Sequence, residues 1–259
     1  MDFLAQYGMF LLKTVTFVIA LLLLIAGILS LGRKPKHKLD ILFLNKEYDD
    51  MKQRMHKEIL SPEQNELLQL LKEFRREFYL VGGTAIALHI GHRRSIDFDL
   101  FKSKGIRPKS IVNKISSSGF SYQVIRRVEE QLNVTISNVK FTFYEYPFSV
   151  QPSVDFNGII RMPSLLDLAA MKAYAFGRRS KWKDYIDMYF LLRDHFSVEQ
   201  ISARAVDIFD QLFSSKLFRA QLSFFKDIDY SESVEFLAAA PSEDEIRQFL
   251  TDKALDVSM

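Results

Sequence analysis

The stretch LVGGTAIALHIGHRRSIDFDLF, Leu80 to Phe101, decides how this chain is read. Leu80 and Val81 close a short apolar run, two glycines follow, and TAIALHI has the spacing of a short helix. The basic pair Arg93 and Arg94 then leads through Ser95 into SIDFDLF, which alternates apolar and polar residues as a strand does. That alternation puts Ile96, Phe98 and Leu100 on one face and Asp97, Asp99 and Phe101 on the other. Two carboxylates so placed repel each other unless a cation neutralises them. Oxygen-only ligation by such a pair suits Mg²⁺ or Mn²⁺, with nucleotide phosphates supplying further oxygens. Gly82 and Gly83 fit the same chemistry, because a turn without Cβ atoms lets backbone N–H groups approach a phosphate. Thr84 adds a hydroxyl and the positive end of a helix dipole. Arg93, Arg94 and Ser95 stand where they would contact substrate phosphates or screen the carboxylates. An isolated D-x-D is more often a solvated strand, and it is the glycine pair at a workable distance that favours a metal and phosphate site.

On either side of this stretch the pattern is that of an α/β core followed by helices. Ser61-Pro62-Glu63-Gln64 forms a capping box with proline at the first helical position, and predicts a helix over NELLQLLKEFRREF. After the aspartate strand, Pro108 to Ser117 reads as a helix; YQVIRRV, LNVTI and VKFTFYEYP then read as strands of a mixed or antiparallel sheet. From Ser164 the period becomes helical, in SLLDLAAMKAYAFG, KDYIDMYFLLRD and ISARAVDIFDQLF, and a further capping box stands at Ser242 and Glu245. The expected organisation is an α/β core over 61–163 and a helical C-terminal unit over 164–259.

Composition bounds the rest. With 259 residues, 48% hydrophobic and 26% charged, the chain is an ordinary packed protein, neither disordered nor a multi-span membrane protein. A net charge of +3 does not by itself indicate nucleic-acid binding, and the absence of cysteine excludes disulfides and thiolate metal sites. The N-terminus is the exception. Thr14 to Leu31, TVTFVIALLLLIAGILSL, is uncharged, and extended back to Tyr7 it reaches the length of a membrane-spanning helix. Asp2 is the only charge in the first twelve residues and the run has no small-residue cleavage pattern after it, which favours a retained anchor over a signal peptide. The basic run GRKPKHK then places the C-terminal side of the span in the cytoplasm. The expectation is a single-pass inner-membrane anchor with its basic flank over 1–38 and a juxtamembrane helix or linker over 39–60.

These segments carry two resemblances. MDFLAQYGMFLLKTVTFVIALLLLIAGILSL with LNKEYDDMKQRM resembles the N-terminal region of inner-membrane peptidases of the SohB type, without their catalytic serine or lysine. GGTAIALHIGHRRSIDFDLF together with MPSLLDLAAMKAYAFGRRSKWKDYIDMYFLL resembles the AbiEii/AbiGii toxin family, within the polymerase β type of nucleotidyltransferases, over about residues 65–255. That resemblance implies a polymerase β-like mixed sheet and a Mg²⁺- or Mn²⁺-dependent transferase. It would move a nucleotidyl group from a nucleoside triphosphate to an acceptor, with RNA, tRNA in particular, as the acceptor class and a cognate antitoxin as partner. It also implies that Lys172 and Asp184 complete the site with Asp97 and Asp99, Lys172 holding the triphosphate and Asp184 orienting the nucleotide or activating the acceptor hydroxyl. Two other readings stand beside it: a nucleotide-binding module without turnover, and a membrane partner of a SohB-like protease.

Asp184 and Asp187 are three apart on one predicted helix and share a face. Between SLLDLAAMKAYAFG and KDYIDMYFLLRD, GRRSKWKD sets Arg178, Arg179, Lys181 and Lys183 around Trp182, a pattern able to meet phosphates and stack a base. Polymerase β-type sites often carry a third carboxylate on a neighbouring strand, and here the alternating positions hold Lys140, Thr142 and Tyr144, with Glu145 turned away. Either Asp97 and Asp99 suffice, or Asp155, in VDF, enters from elsewhere.

Overall fold

The computed structural model describes residues 55–256 apart from 177, 179 and 238. The expected anchor, its basic flank and all but the last residues of the linker lie outside that range. Among the described residues no helix is long and apolar enough to cross a membrane.

The folded unit begins before Ser61. Residues 57–59 form a 3₁₀ turn whose Ile59 is fully buried, and the His56 N–H donates to the Leu88 carbonyl at 2.8 Å. Helix α1, Pro62–Glu66, starts at the expected capping box: Ser61 Oγ accepts from the Gln64 N–H at 3.2 Å and Gln64 Oε1 from the Ser61 N–H at 3.0 Å. The single helix expected here is broken at Leu67, and α2 runs Leu68–Glu73. Leu67, Leu70, Leu71 and Phe74 are buried, and the Phe74 and Phe78 rings meet Phe143 edge-on.

Strand β1 (Tyr79–Val81) leads into α3 (Gly82–Ile90), then β2 (Phe98–Lys102), α4 (Pro108–Ser117), β3 (Tyr122–Arg127), β4 (Gln131–Ile136) and β5 (Val139–Glu145). The five strands form one mixed sheet ordered β1-β2-β5-β4-β3, with β2 and β5 parallel and the other pairs antiparallel. One face is apolar and closed, with Leu80, Phe98, Leu100, Leu132, Val134, Phe141 and Phe143 all buried. The other carries Asp99, Phe101, Gln131, Asn133, Lys140, Thr142 and Tyr144. A hairpin, β6 (Val154–Phe156) and β7 (Ile160–Met162), forms a separate two-stranded sheet.

Five α-helices follow among the described residues: α5 (Leu165–Phe176), α6 (Trp182–Asp194), α7 (Val198–Phe209), α8 (Ser215–Leu222) and α9 (Glu243–Leu255). Helix α6 is central, with every residue from Asp184 to Leu192 buried. One continuous core joins sheet and helices, running from Leu80, Phe98 and Phe141 through Leu168 and Phe176 to Ile186, Leu191 and Leu250. The fold is therefore α+β with a mixed sheet, and the α/β and helical stretches share one interior.

Candidate active site

Strand β2 starts at Phe98, one residue after Asp97, and Ile96 is 65% exposed, so Ile96 does not share the buried face of Phe98 and Leu100 as alternation alone would have it. Asp97 is fixed at the mouth of the strand by its carbonyl, which accepts the Thr84 hydroxyl. Thr84 also shares a hydrogen bond of 2.9 Å with Ser95 Oγ and is almost wholly buried. Its hydroxyl thus ties α3 to the segment before β2 and is not turned toward a phosphate. Asp99 lies between Val81 on β1 and Thr142 on β5.

The glycine pair makes room for the chain's own side chains. Gly82 has φ +74°, and a Cβ there would lie 2.1 Å from Asp99 Oδ2. At Gly83 a Cβ would lie 2.7 Å from Arg93 Nη2 and 3.2 Å from Ser95 Oγ. The space these glycines leave is filled by the chain's own Asp99 carboxylate and Arg93 guanidinium.

Asp99 opens into a cavity of about 500 Å³. Beside it the cavity is lined by Gly82, Thr142 and Asn133, by the cations Lys140, Lys172 and Arg178, and by the rings of Tyr144, Tyr146 and Tyr174. Arg178 is exposed and lies over the Tyr174 ring at 4.1 Å. Burial pushes the Tyr146 phenol well above its usual range, so it remains a hydroxyl.

Behind the cavity is a buried ion network. Lys172 Nζ lies 2.6 Å from both Asp184 Oδ1 and Asp187 Oδ2. Arg93 grips Asp187 with two parallel bonds, Nε to Oδ1 at 2.7 Å and Nη2 to Oδ2 at 2.9 Å, and His92 Nε2 reaches the same Oδ1 at 2.8 Å. All five residues are buried. Burial alone would raise the Asp187 carboxyl, but Arg93, Lys172 and His92 hold it well below the usual carboxylate range. His92 is pushed down by burial, against the pull of Asp187, and so stays neutral near pH 7. Arg93 is therefore no surface contact for substrate; it anchors the segment before β2 to α6. Arg94 is likewise committed, to Glu235 at 2.8 Å and to the carbonyls of Glu58 and Leu60. Asp184, 1% exposed and paired with Lys172, is placed to orient that lysine and not an acceptor hydroxyl.

The basic segment between α5 and α6 divides. Trp182 packs against Tyr185 and Tyr230, with ring centroids 6.1 and 5.4 Å away, so its faces are used internally and not for base stacking. Arg179 lies outside the described residues. Lys181 and Lys183 both pair with Glu232, and Lys183 Nζ also stands 3.9 Å from Asp97 Oδ2. Burial pushes the Lys183 ammonium below its ordinary value, against the pull of Asp97.

No third carboxylate joins the pair on β5, where Thr142 stands opposite Asp99. Asp155 sits in the separate hairpin and accepts the Gly158 N–H at 2.6 Å, so it does not enter the cavity. Among the described residues no group of three or more histidines or carboxylates is disposed to hold a metal. The donor set still fits a magnesium-like ion, which takes one or two carboxylates and draws its remaining oxygens from water and substrate phosphate. Asp97 and Asp99, both partly exposed, are such a pair. Sequence reasoning gave no role to His92, Lys140, Asn133 or Gln131; even His92, inside the glycine–aspartate stretch, is revealed only by the buried network, and the others by strand register.

Comparison with known proteins places these residues in context. Residues 147–257, which include Lys172, Asp184 and Asp187, match the model for the nucleotidyl transferase AbiEii toxin, Type IV TA system. Residues 2–77 match the peptidase family S49 N-terminal model, which thus extends past α2 into the folded unit. The uncharacterized protein aq_aa25 of Aquifex aeolicus (strain VF5) is 34% identical over 145 residues, 52% of this chain and 68% of that protein. Among solved structures, a putative nucleotidyltransferase from H. pylori is 17% identical with a TM-score of 0.46, covering 74% of this chain and 92% of that one. JHP933 from Helicobacter pylori is 18% identical with a TM-score of 0.48, covering 76% and 92%. MenT4, a nucleotidyltransferase toxin from Mycobacterium tuberculosis H37Rv, is 15% identical with a TM-score of 0.42, covering 75% and 82%.

Proposed function

We propose that this chain, whose residues 147–257 match the nucleotidyl transferase AbiEii toxin model, transfers a nucleotidyl group from a nucleoside triphosphate to an RNA acceptor, tRNA in particular, at the cavity beside Asp99. The observation that carries this reading is the Asp99 carboxylate facing Lys140, Lys172 and Arg178 across one cavity, with Asp97 just before the same strand. Asp97 and Asp99 would hold Mg²⁺ or Mn²⁺, which when bound neutralises charge on the triphosphate and on the leaving pyrophosphate. The acceptor hydroxyl oxygen forms a bond to the α-phosphorus, the bond from that phosphorus to the bridging oxygen breaks, pyrophosphate leaves and the hydroxyl proton passes to solvent. Lys172, aimed by Asp184 and Asp187, meets the phosphates, and Arg178 and Lys140 flank them. Gly82 keeps Asp99 in place, while Arg93, Thr84 and Ser95 position the segment that carries Asp97. The match to a toxin model from Type IV systems supports an antitoxin as the natural partner. The apolar run Thr14–Leu31 with its basic flank supports residence at the cytoplasmic face of the inner membrane.

The test is label transfer: full-length protein with Mg²⁺, each α-labelled nucleoside triphosphate in turn and total cellular RNA. Labelled RNA is expected with the wild type and a loss of at least about a hundredfold with Asp97→Ala or Asp99→Ala, the scale of removing one electrostatic group at a reacting phosphate. Undiminished labelling by both variants would refute the assignment of the pair.

A further inference from the structure

The polar face of the sheet continues beyond the cavity. Residues directly opposite in paired antiparallel strands share a face, as do parallel partners, so one row crosses four strands: Asp99 on β2, Thr142 on β5, Asn133 on β4 and Arg126 on β3. A second row holds Phe101, Tyr144 and Gln131, and a third Lys140, Thr135 and Gln123. At strand spacing the first row reaches roughly 14 Å from Asp99. Outward of Asp99 the three rows contain hydroxyls, amides, two cations and the Tyr144 ring, and no carboxylate; Glu129 and Glu130 lie in the turn beyond them. Gln131 Nε2 donates to Asn133 Oδ1 at 2.9 Å, fixing the two amides side by side at the cavity wall. Lys140 and Arg126 are exposed and make no ion pair among the described residues. A face that only meets water has no reason to exclude one sign of charge, whereas cations, amide groups and a ring beside them are what a single nucleic-acid strand requires.

We propose that this face is the acceptor track: a single-stranded RNA end laid across β5, β4 and β3, its terminal hydroxyl at Asp99. Lys140 and Arg126 meet its phosphates, and Asn133 and Gln131 meet its bases. The direction of the strand rests on the transferase reading; the binding does not.

Full-length protein and a short single-stranded RNA, fluorescein-labelled at its 5′ end, are used for anisotropy titrations over a salt series without nucleotide. Arg126→Glu is expected to weaken RNA binding by at least about tenfold and to lower the log–log salt slope by about 0.7 per lost phosphate contact, with triphosphate affinity unchanged. Arg126→Lys should retain most of the affinity, and Lys140→Glu should weaken both ligands. As a readout independent of any variant, RNA carrying 4-thiouridine near its 3′ end is expected to crosslink to peptides from β3 to β5. RNA affinity unaltered by either charge reversal, crosslinks confined to other elements, or no RNA binding at low salt would overturn the track; the last result would turn the face toward an acidic protein partner. RNA binding that Arg126→Glu abolishes, in a wild type that transfers no label, would leave the track standing and defeat the transferase reading alone.

Discussion

At the scale of the single residue, Gly82 is the position with least freedom. Its positive φ suits glycine, and the missing Cβ is what lets the Asp99 carboxylate lie against the turn. Gly82→Ala adds one methyl group that strains the backbone and displaces the carboxylate from the cavity wall. The expected outcome is a loss of about 1–3 kcal/mol in stability and near-complete loss of label transfer, measured by urea denaturation and the transfer assay on one preparation. Gly83→Ala should instead act through Arg93, loosening its grip on Asp187, because its added methyl meets that guanidinium. The glycine pair and the two aspartates were legible in the sequence because each belongs to a short motif with fixed spacing. What the motif could not reveal is that the glycines make room for the protein's own side chains. That depends on Arg93 folding back beneath α3 to meet a residue 94 positions further along.

At the scale of elements, α6 is decisive. Its residues from Asp184 to Leu192 are all buried, so two carboxylates enter the interior with it and must be neutralised there. Lys172 from α5 and Arg93 from the segment before β2 supply the counter-charge, and the neutral His92 adds a hydrogen bond to Asp187. The helices α5, α6, α7 and α9 were plain from their spacing and caps, while α8 was not expected, and the depth of α6 was hidden: KDYIDMYFLLRD reads as a helix with its two aspartates on one face. The break at Leu67 was equally hidden, since no glycine or proline marks it. The network predicts how stability depends on pH. His92 is held below the ordinary histidine value, so the stability its neutral form contributes is fully present above about pH 6.5 and is lost as pH falls below that value. Asp187 is held below the ordinary carboxylate value, so its contribution is full above about pH 4 and is lost only on further acidification. The melting temperature should therefore be level from pH 7.5 to 6.5, fall below 6.5 and fall again below 4. His89 and His195, also pushed down by burial, act in the same sense as His92. His92→Gln should consequently flatten part of the first fall and leave the second in place; identical pH profiles in wild type and variant would show that His92 is not a titrating element of the fold.

At the scale of the whole molecule, the sheet and the helices read as two segments in the sequence yet cannot be separated in space. The core runs without interruption from β1 and β2 into α5, α6 and α9, and the sheet-side groups Arg93 and His92 both bond to Asp187 on α6. The segment between α8 and α9 adds to the join: the Arg94 N–H donates to the Glu235 carbonyl at 2.8 Å, and the Asp229 N–H to the Ser180 carbonyl at 2.7 Å. A piece ending at Pro163 would keep every strand and both aspartates of the D-x-D, yet would expose the apolar side of α3 and leave a buried guanidinium and imidazole without Asp187. Removing one partner of a buried pair costs roughly 3–5 kcal/mol, a large share of the 5–15 kcal/mol by which a domain is stable, and here the packing of α5 and α6 is lost with it. Residues 55–163 alone are therefore expected to lack a cooperative thermal transition and a near-ultraviolet dichroism signal, while residues 55–259 melt in one step by both near- and far-ultraviolet dichroism. A cooperative melt of the shorter piece would mean that the sheet folds independently and that the helical segment merely docks against it. In that case Asp97 and Asp99 would be positioned without Lys172, and the site could be assembled by adding the two halves in trans.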